Sequence, residues 1–318
     1  MRIGQNPAKD INEVAKPKRI TVAVLNYIPF LSGFYADMFD VLKITLNSIL
    51  ENSDLPFDLL VFDNASCPEV TKYLVEMQAQ HKIQYLILSD INLGKGGAWN
   101  IILDGAPGEI IAYTDNDCYF YPGWLSASIK VLERFPNVGM VTSRPVALNH
   151  IYDTATLSWA QNNKDVQIKK NRFIDWETFK SFEMSLGNSE EEVAKRYENH
   201  EDIVLKYKEE QALVGALHYQ FLAYKRVMKE FLPFDMSKPM GQVRQLDILV
   251  NEAGHLRLMT PKPYMNNMSN QIPDWLTHNT LTKSGGKLQD FKLKNLKVIK
   301  WPLMRLYNWI FKIYWREQ

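Results

Sequence analysis

Along the first 145 residues the spacing of apolar positions switches repeatedly between the period of a strand and that of a helix. "RITVAVLNY" (19 to 27) is a short β-branched apolar run, which predicts a strand. Met38, Val41, Leu42, Thr45 and Ile49 then recur at helical spacing. A second strand is expected at "DLLVFD" (58 to 63). Behind it Ser66 and Glu69 read as a capping box around Pro68, opening a helix with Val70, Tyr73, Leu74 and Met77 on one face. "IQYLIL" (83 to 88), "EIIAYT" (109 to 114) and "VGMVT" (138 to 142) read as further strands, separated by helices at 97 to 104 and 122 to 134. Strand and helix in alternation predict an α/β fold: a mostly parallel sheet with helices on both faces.

Beyond residue 150 the pattern changes. Residues 151 to 185 are rich in Trp, Asn and Lys and show no clear period. "NSEEEVAKRYENHEDIVLKYKEEQ" reads as a solvated charged helix opened by a capping box at Ser189 and Glu192. "VGALHYQFLAYKR" (214 to 226) returns to the pattern of a strand. At the end of the chain, Arg305, Asn308, Lys312 and Arg316 form one polar stripe beyond Pro302, and the rest of that surface is apolar and aromatic. With Lys292, Lys294, Lys297 and Lys300 upstream, this predicts an amphipathic helical tail suited to the headgroup region of an anionic membrane. Packing on the rest of the chain or on a second subunit is the alternative.

Composition narrows the setting. A chain of 318 residues can bury a full core, in one large domain or two modest ones. The 37 basic and 36 acidic residues leave a net charge of +1, so no global attraction for nucleic acid is expected. Cys67 and Cys118 lie far apart and form neither a disulfide framework nor a zinc pattern, which suits a reducing cytosol. The polar N-terminus lacks the apolar stretch of a signal peptide, and no run reaches the length of a membrane span. A soluble or peripheral protein is expected.

In sheets of this class ligands sit outside the carboxyl ends of the strands. Those ends read "LNY" (25 to 27), "FDNAS" (62 to 66), "SDINLGKGG" (89 to 97) and "TDNDCY" (114 to 119), each polar where its strand is apolar. Asp63, Asn64, Lys95, Asp115 and Asp117 therefore share one edge. Taken residue by residue, Asp63 and Ser66 can end a strand and cap a helix. Asp115 and Asp117 can cap a helix leading into "YPGWL", or hold a cation.

"VAVLNY", "VFDNAS", "NLGKGGAWN" and "AYTDND", in this order, resemble GT-A glycosyltransferases of the large family 2 type. The resemblance covers residues 19 to 145 and, more loosely, the remainder. It implies a GT-A-like (Rossmann-like) fold, a nucleotide-diphosphate sugar as donor, a hydroxyl acceptor, and a divalent cation, Mn or Mg. The cation would neutralise the diphosphate and make it a better leaving group. It further implies that Asp63 contacts the base or ribose, with Asn64 and Ser66 shaping the loop. Lys95, in a glycine-rich segment that matches neither a P-loop nor a dinucleotide fingerprint, would be available to a phosphate. Asp117 would hold the metal, and Asp115 the ribose or the same metal through water.

The second half departs from the resembled pattern. The family's general base begins a helix in a Glu-Asp pair upstream of an Ala-Gly. Aligned on Ala253 and Gly254, that pair falls on Gln242 and Val243, and neither takes a proton. Asp247, the only acid between Gly241 and Asn251, is the candidate base; a surface pairing with Arg244 is the alternative. The histidine implied as a further metal ligand is replaced by Asn267 in "NNMSN", whose amide oxygen can ligate a hard cation but carries no charge. Residues 214 to 226 resemble the acceptor-side strand, with His218 and Gln220 facing either the site or the core.

The expected organisation is a flexible N-terminal segment (1–18), a nucleotide-sugar-binding half (19–145), an acceptor-side half of the same catalytic domain with a charged helical insert (146–280), and a basic aromatic tail (281–318). The expected function is sugar transfer in cell-surface polysaccharide or glycolipid synthesis. The tail raises a lipid-linked acceptor and a peripheral place at the inner face of the membrane. The alternative, motivated by Gln242, Val243 and Asn267, is a catalytically degenerate nucleotide-sugar-binding relative acting through a partner. A sugar nucleotidyltransferase would need a glycine-rich, Arg-containing loop after the first strand, and "VLNYIPFLSGF" lacks it.

Overall fold

Strand β1 (Ile20–Asn26) is buried along its whole length, because apolar side chains on both of its faces are covered. The alternation predicted around it is observed. It runs through α1 (Met38–Asn52), β2 (Phe57–Asn64), α2 (Pro68–Ala79), β3 (Tyr85–Ser89), α3 (Gly94–Gly105) and β4 (Ile110–Asp115), then, after a short β5 (Cys118–Phe120) that the apolar pattern does not predict, through α4 (Trp124–Arg134) and β6 (Val138–Thr142). The computed structural model describes residues 3–11, 13–237, 243–273 and 275–276. The chain divides into two units, Met1–Ile272 and Pro273–Gln318. All the elements named here belong to the first. In the second, the described residues form a turn in which the Leu276 N–H donates to the Pro273 carbonyl. The amphipathic tail expected at 281–318 lies outside the described residues.

The second half adds α5 (Thr154–Asn162), β7 (Val166–Asn171), α6 (Trp176–Ser185), α7 (Glu190–Glu198), β8 (Asp202–Tyr207), β9 (Glu210–Val214), β10 (Gln220–Tyr224), α8 (Lys225–Met228), α9 (Val243–Glu252), β11 (Leu256–Met259) and β12 (Met265–Asn267). The capping box at Ser189 and Glu192 forms, but the helix it opens ends at Glu198. The rest of the charged run is the β8–β9 hairpin, not helix. Its apolar centre is one strand long, and flanking Lys and Glu side chains conceal the break.

Ten strands make one sheet in the order β3-β2-β1-β4-β10-β6-β11-β9-β8-β7, and β12 pairs with β5 in a small second sheet. The quartet β3-β2-β1-β4 is parallel, as is the β6–β11 pair. The expectation of a mostly parallel sheet is corrected beyond β4. There β10 inserts antiparallel between β4 and β6, and β9, β8 and β7 continue as an antiparallel meander. The arrangement is a mixed α/β sheet. Ala23, Leu25, Leu60, Phe62, Ile111 and Phe221 pack on one face with Trp99 and Ile102 of α3 and Leu246 and Val250 of α9. The intervening Val22, Val24, Leu59 and Val61 are equally buried, so both faces are covered. A smaller core around Phe179, Phe182, Val193 and Val204 joins α6 and α7 to the antiparallel strands.

Among its described residues the N-terminal segment contains a 3-10 turn, Pro7–Asp10, capped by Asn6. The capping box read at Ser66 and Glu69 does not form. Helix α2 starts after Cys67 with Pro68 in its first turn and no side-chain cap.

Candidate functional site

The ends of β1, β2 and β4 lie side by side, with Asn26 opposite Asp63 and Leu25 opposite Asp115. A buried amide network ties them together. Asn26 Nδ2 donates to Asp63 Oδ1 at 2.6 Å and to Ser66 Oγ at 2.9 Å, while Asn116 Nδ2 donates to Asn26 Oδ1 at 2.6 Å. The Ser66 hydroxyl is drawn to Asn26 and to the Ile28 N–H, which is why it does not cap α2. Asn26 and Asn116 escaped the sequence reading as site residues; the available signal was an amide closing an otherwise apolar strand. Asp63 is almost fully buried, yet it borders a cavity of about 250 Å³ that Ala65, Ser66, Thr71, Leu88, Ser89 and Asp90 also line.

Asn64 turns the other way. Its Oδ1 accepts from the Leu93 N–H at 2.9 Å and its Nδ2 donates to Asn92 Oδ1 at 2.9 Å, so its amide holds the loop that enters α3. Gly94, at φ +66°, makes the turn there. Lys95 follows, and its Nζ lies 2.6 Å from Asp115 Oδ2. The Tyr113 hydroxyl donates to the other oxygen, Asp115 Oδ1, at 2.6 Å. Both oxygens of Asp115 are therefore engaged, and Lys95 bridges inward to it.

Asp117 is in a different state. Burial, and then the neighbouring Asp115 carboxylate, push its carboxyl from 3.8 up to about 7, with Lys95 opposing. Neither acid caps a helix: Asp115 closes β4, β5 follows, and α4 begins only after Gly123. The pairing of β12 with β5 puts Asn267 across from Cys118, and the Met268 N–H donates to the Asp117 carbonyl at 2.7 Å. Asn267 is thus brought to the peptide that carries Asp117, although its Oδ1 already accepts from the Ser269 N–H. Among the described residues there is no group of three or more His, Cys, Asp or Glu side chains that could hold a metal ion. Carboxylate and amide oxygens are the hard donors that Mg and Mn take, and a cation beside Asp117 would lower its raised pKa.

The candidate base is not paired with Arg244, which is exposed. Asp247 is 4% exposed, with Oδ1 2.7 Å from Arg257 Nη2 and Oδ2 2.7 Å from His218 Nδ1. Arg257 also meets Asp153 Oδ1 at 3.0 Å, and Asp153 in turn reaches His150 Nδ1 at 3.1 Å. Arg257 and Asp153 were not legible as partners, since they come from elements distant in sequence. His218 and Gln220 separate: Gln220 is fully buried and bonds the Ser143 N–H and hydroxyl, whereas the His218 side chain is 26% exposed. A buried Arg144 donates to Asn266 Oδ1 at 2.8 Å and to the Thr178 carbonyl at 2.7 Å, holding β12 against α6. Val243 opens α9; Gln242 lies outside the described residues.

A family model described as glycosyl transferase family 2 matches residues 34–217. An uncharacterized glycosyltransferase of Nostoc sp. is 25% identical over 96 residues, which is 30% of this chain and 30% of that relative's length. Among solved structures, residues 1–349 of S. aureus TarS match with a TM-score of 0.45 at 12% identity, covering 78% of this chain and 60% of that one. The mannosyltransferase PcManGT of Pyrobaculum calidifontis, solved with GDP-Man and Mn2+, matches with a TM-score of 0.33 at 28% identity, over 40% of this chain and 35% of its own.

Proposed function

The chain belongs to glycosyl transferase family 2, and from that premise we propose that it transfers a sugar from a nucleotide-diphosphate donor to a hydroxyl acceptor. The observation that carries this reading is the convergence, at one edge of the sheet, of the Asp63 cavity with the Lys95, Asp115 and Asp117 cluster. The nucleoside enters the cavity, where Asp63 and Asp90 offer acceptor oxygens to base and ribose. Asn64 shapes this site by holding the Asn92–Gly94 loop, without touching the donor.

Asp117, with Asp115 and the Asn267 amide, would hold Mn or Mg, which when bound supplies charge neutralisation of the diphosphate. Lys95 acts from beneath: its ammonium pairs with Asp115 and adds positive charge near the phosphates. For the acceptor, the basic aromatic composition of 281–318 supports a lipid-linked hydroxyl, within cell-surface polysaccharide or glycolipid synthesis at the cytoplasmic face of a membrane.

A second reading, a nucleotide-sugar-binding relative without turnover, is favoured by one observation. Asp247 is occupied by Arg257 and shielded from solvent, so its carboxylate is not presented as a base. The test of the first reading is a thermal-shift panel of nucleotide-diphosphate sugars with and without manganese. The donor at a hundredfold its Kd should stabilise the fold by about 2.7 kcal/mol. A panel in which none shifts the midpoint overturns it. Binding without release of nucleoside diphosphate, with water or with hydroxyl acceptors present, supports the second reading.

A further inference from the structure

We propose that His218 is the general base of the transfer, filling the role that Gln242 and Val243 leave vacant, and that Asp247 and Arg257 position it. The assignment rests on the transferase reading above. It begins with where the backbone puts His218. Leu217 and Gln220 bridge across a tight turn whose tip is His218 and Tyr219. The Leu217 N–H donates to Thr142 Oγ1 at 2.8 Å on one side of the turn. On the other, the Asp115 N–H donates to the Tyr219 carbonyl at 2.9 Å. Since Gln220 lies opposite Thr114, the turn sits at the same edge as the ends of the parallel strands. The imidazole is therefore carried by a residue whose neighbour is bonded to the Asp-Asn-Asp segment itself.

The side-chain network then sets the tautomer. With Asp247 Oδ2 2.7 Å from Nδ1, that nitrogen donates its proton to the carboxylate, and Nε2 keeps a lone pair. Asp247 cannot turn away, because Arg257 Nη2 holds its other oxygen and also donates to the Ala216 carbonyl at the root of the same turn. His150 occupies the mirror position on Asp153, but its Nε2 is buried without a partner. His218 differs in exposing a quarter of its side chain. Of these two histidines, it is the one able to present a basic nitrogen to a hydroxyl.

The step balances as a direct displacement. The acceptor oxygen bonds to the anomeric carbon as its proton passes to His218 Nε2. The bond from that carbon to the diphosphate oxygen breaks, and the leaving group departs with the electron pair. Two carboxylates, Asp247 and Asp153, flank the single Arg257 guanidinium, so the network carries surplus negative charge to stabilise the imidazolium. Asp247 does not itself take the proton. This is why its burial is compatible with catalysis.

The test uses the full chain and the nucleotide-diphosphate sugar that gives the largest thermal shift with manganese. Donor affinity is measured by calorimetry, and turnover as release of nucleoside diphosphate with water and with a panel of simple sugar alcohols. His218→Ala should retain donor affinity and lose about a hundredfold or more of turnover. Added imidazole should restore part of that loss, which a purely structural role would not allow. Asp247→Asn should lower kcat with KM little changed, and imidazole should not rescue it. If His218→Ala turns over donor like the wild type, or its loss is not restored by imidazole, the assignment of His218 is overturned while the transferase reading stands. A wild-type chain that binds donor without cleaving it also overturns the assignment. If the wild type binds no nucleotide sugar, the transferase reading fails and the assignment fails with it.

Discussion

Asp117 is destabilising to the folded chain in the absence of a cation. Its carboxyl ionises near 3.8 when unfolded and at about 7 when folded, because burial and Asp115 disfavour the charge. The folded state therefore binds the extra proton between these values, so stability falls as pH rises from 3.8 to about 7 and is level above that. Asp117→Asn removes the penalty. In chelator the variant should exceed wild type by about 1–3 kcal/mol at pH 8, allowing for partial exposure, and match it near pH 4. Urea unfolding at the two pH values measures this, and an equal gain at both would show that ionisation is not its origin. Manganese should reverse the ranking, since only the wild type gains from binding it. Asn26 gives the opposite case. Asn26→Ala leaves Asp63 Oδ1 and Asn116 Nδ2 without their partner, and should cost about 2–4 kcal/mol by urea unfolding. Its donor affinity should fall as well, because the same amide orients Asp63.

Two Ser-x-x-Glu patterns stand at helix starts in this chain, at Ser66 and Ser189, and only one caps its helix. Ser189 is exposed and local, so its hydroxyl meets the Glu192 N–H as the motif predicts. Ser66 sits beside a strand end, and Asn26, forty residues earlier, takes its hydroxyl instead. Ser189→Ala should therefore cost about 1 kcal/mol of stability and leave manganese-dependent nucleotide binding unchanged, which unfolding and calorimetry together check. The turn that carries His218 is more sensitive. Gly215 has φ +121°, and a Cβ there would lie 2.5 Å from Leu148 Cδ1. Gly215→Ala should cost about 1–3 kcal/mol from backbone strain alone. Turnover should fall further than stability accounts for, since Gly215 is bonded to the Arg257 carbonyl and begins the turn.

All the site residues named here fall within Met1–Ile272. A chain ending at Ile272 should keep manganese-dependent nucleotide-sugar binding, with a Kd close to that of the full chain by calorimetry. The tail belongs to a separate experiment: flotation with anionic liposomes should be lost when the chain ends at Lys297, and equal flotation of both chains removes the membrane reading. The sequence alone determined the alternation of strand and helix from Ile20 to Thr142, apart from the short β5, and the polar segments after the strands that carry Asp63, Lys95, Asp115 and Asp117. Apolar periodicity and strand-end polarity are local properties, and a parallel quartet follows from them with little choice. Only the tertiary structure decided that β10 enters antiparallel beside β4, because the pairing of strands is settled by contacts between elements some hundred residues apart. The same holds for Asp247. Its spacing within α9 suggested Arg244, but burial favoured the guanidinium of Arg257 and the imidazole of His218, each delivered by a different element. A charged side chain's partner is set by which surfaces close over it, and no one-dimensional pattern records that.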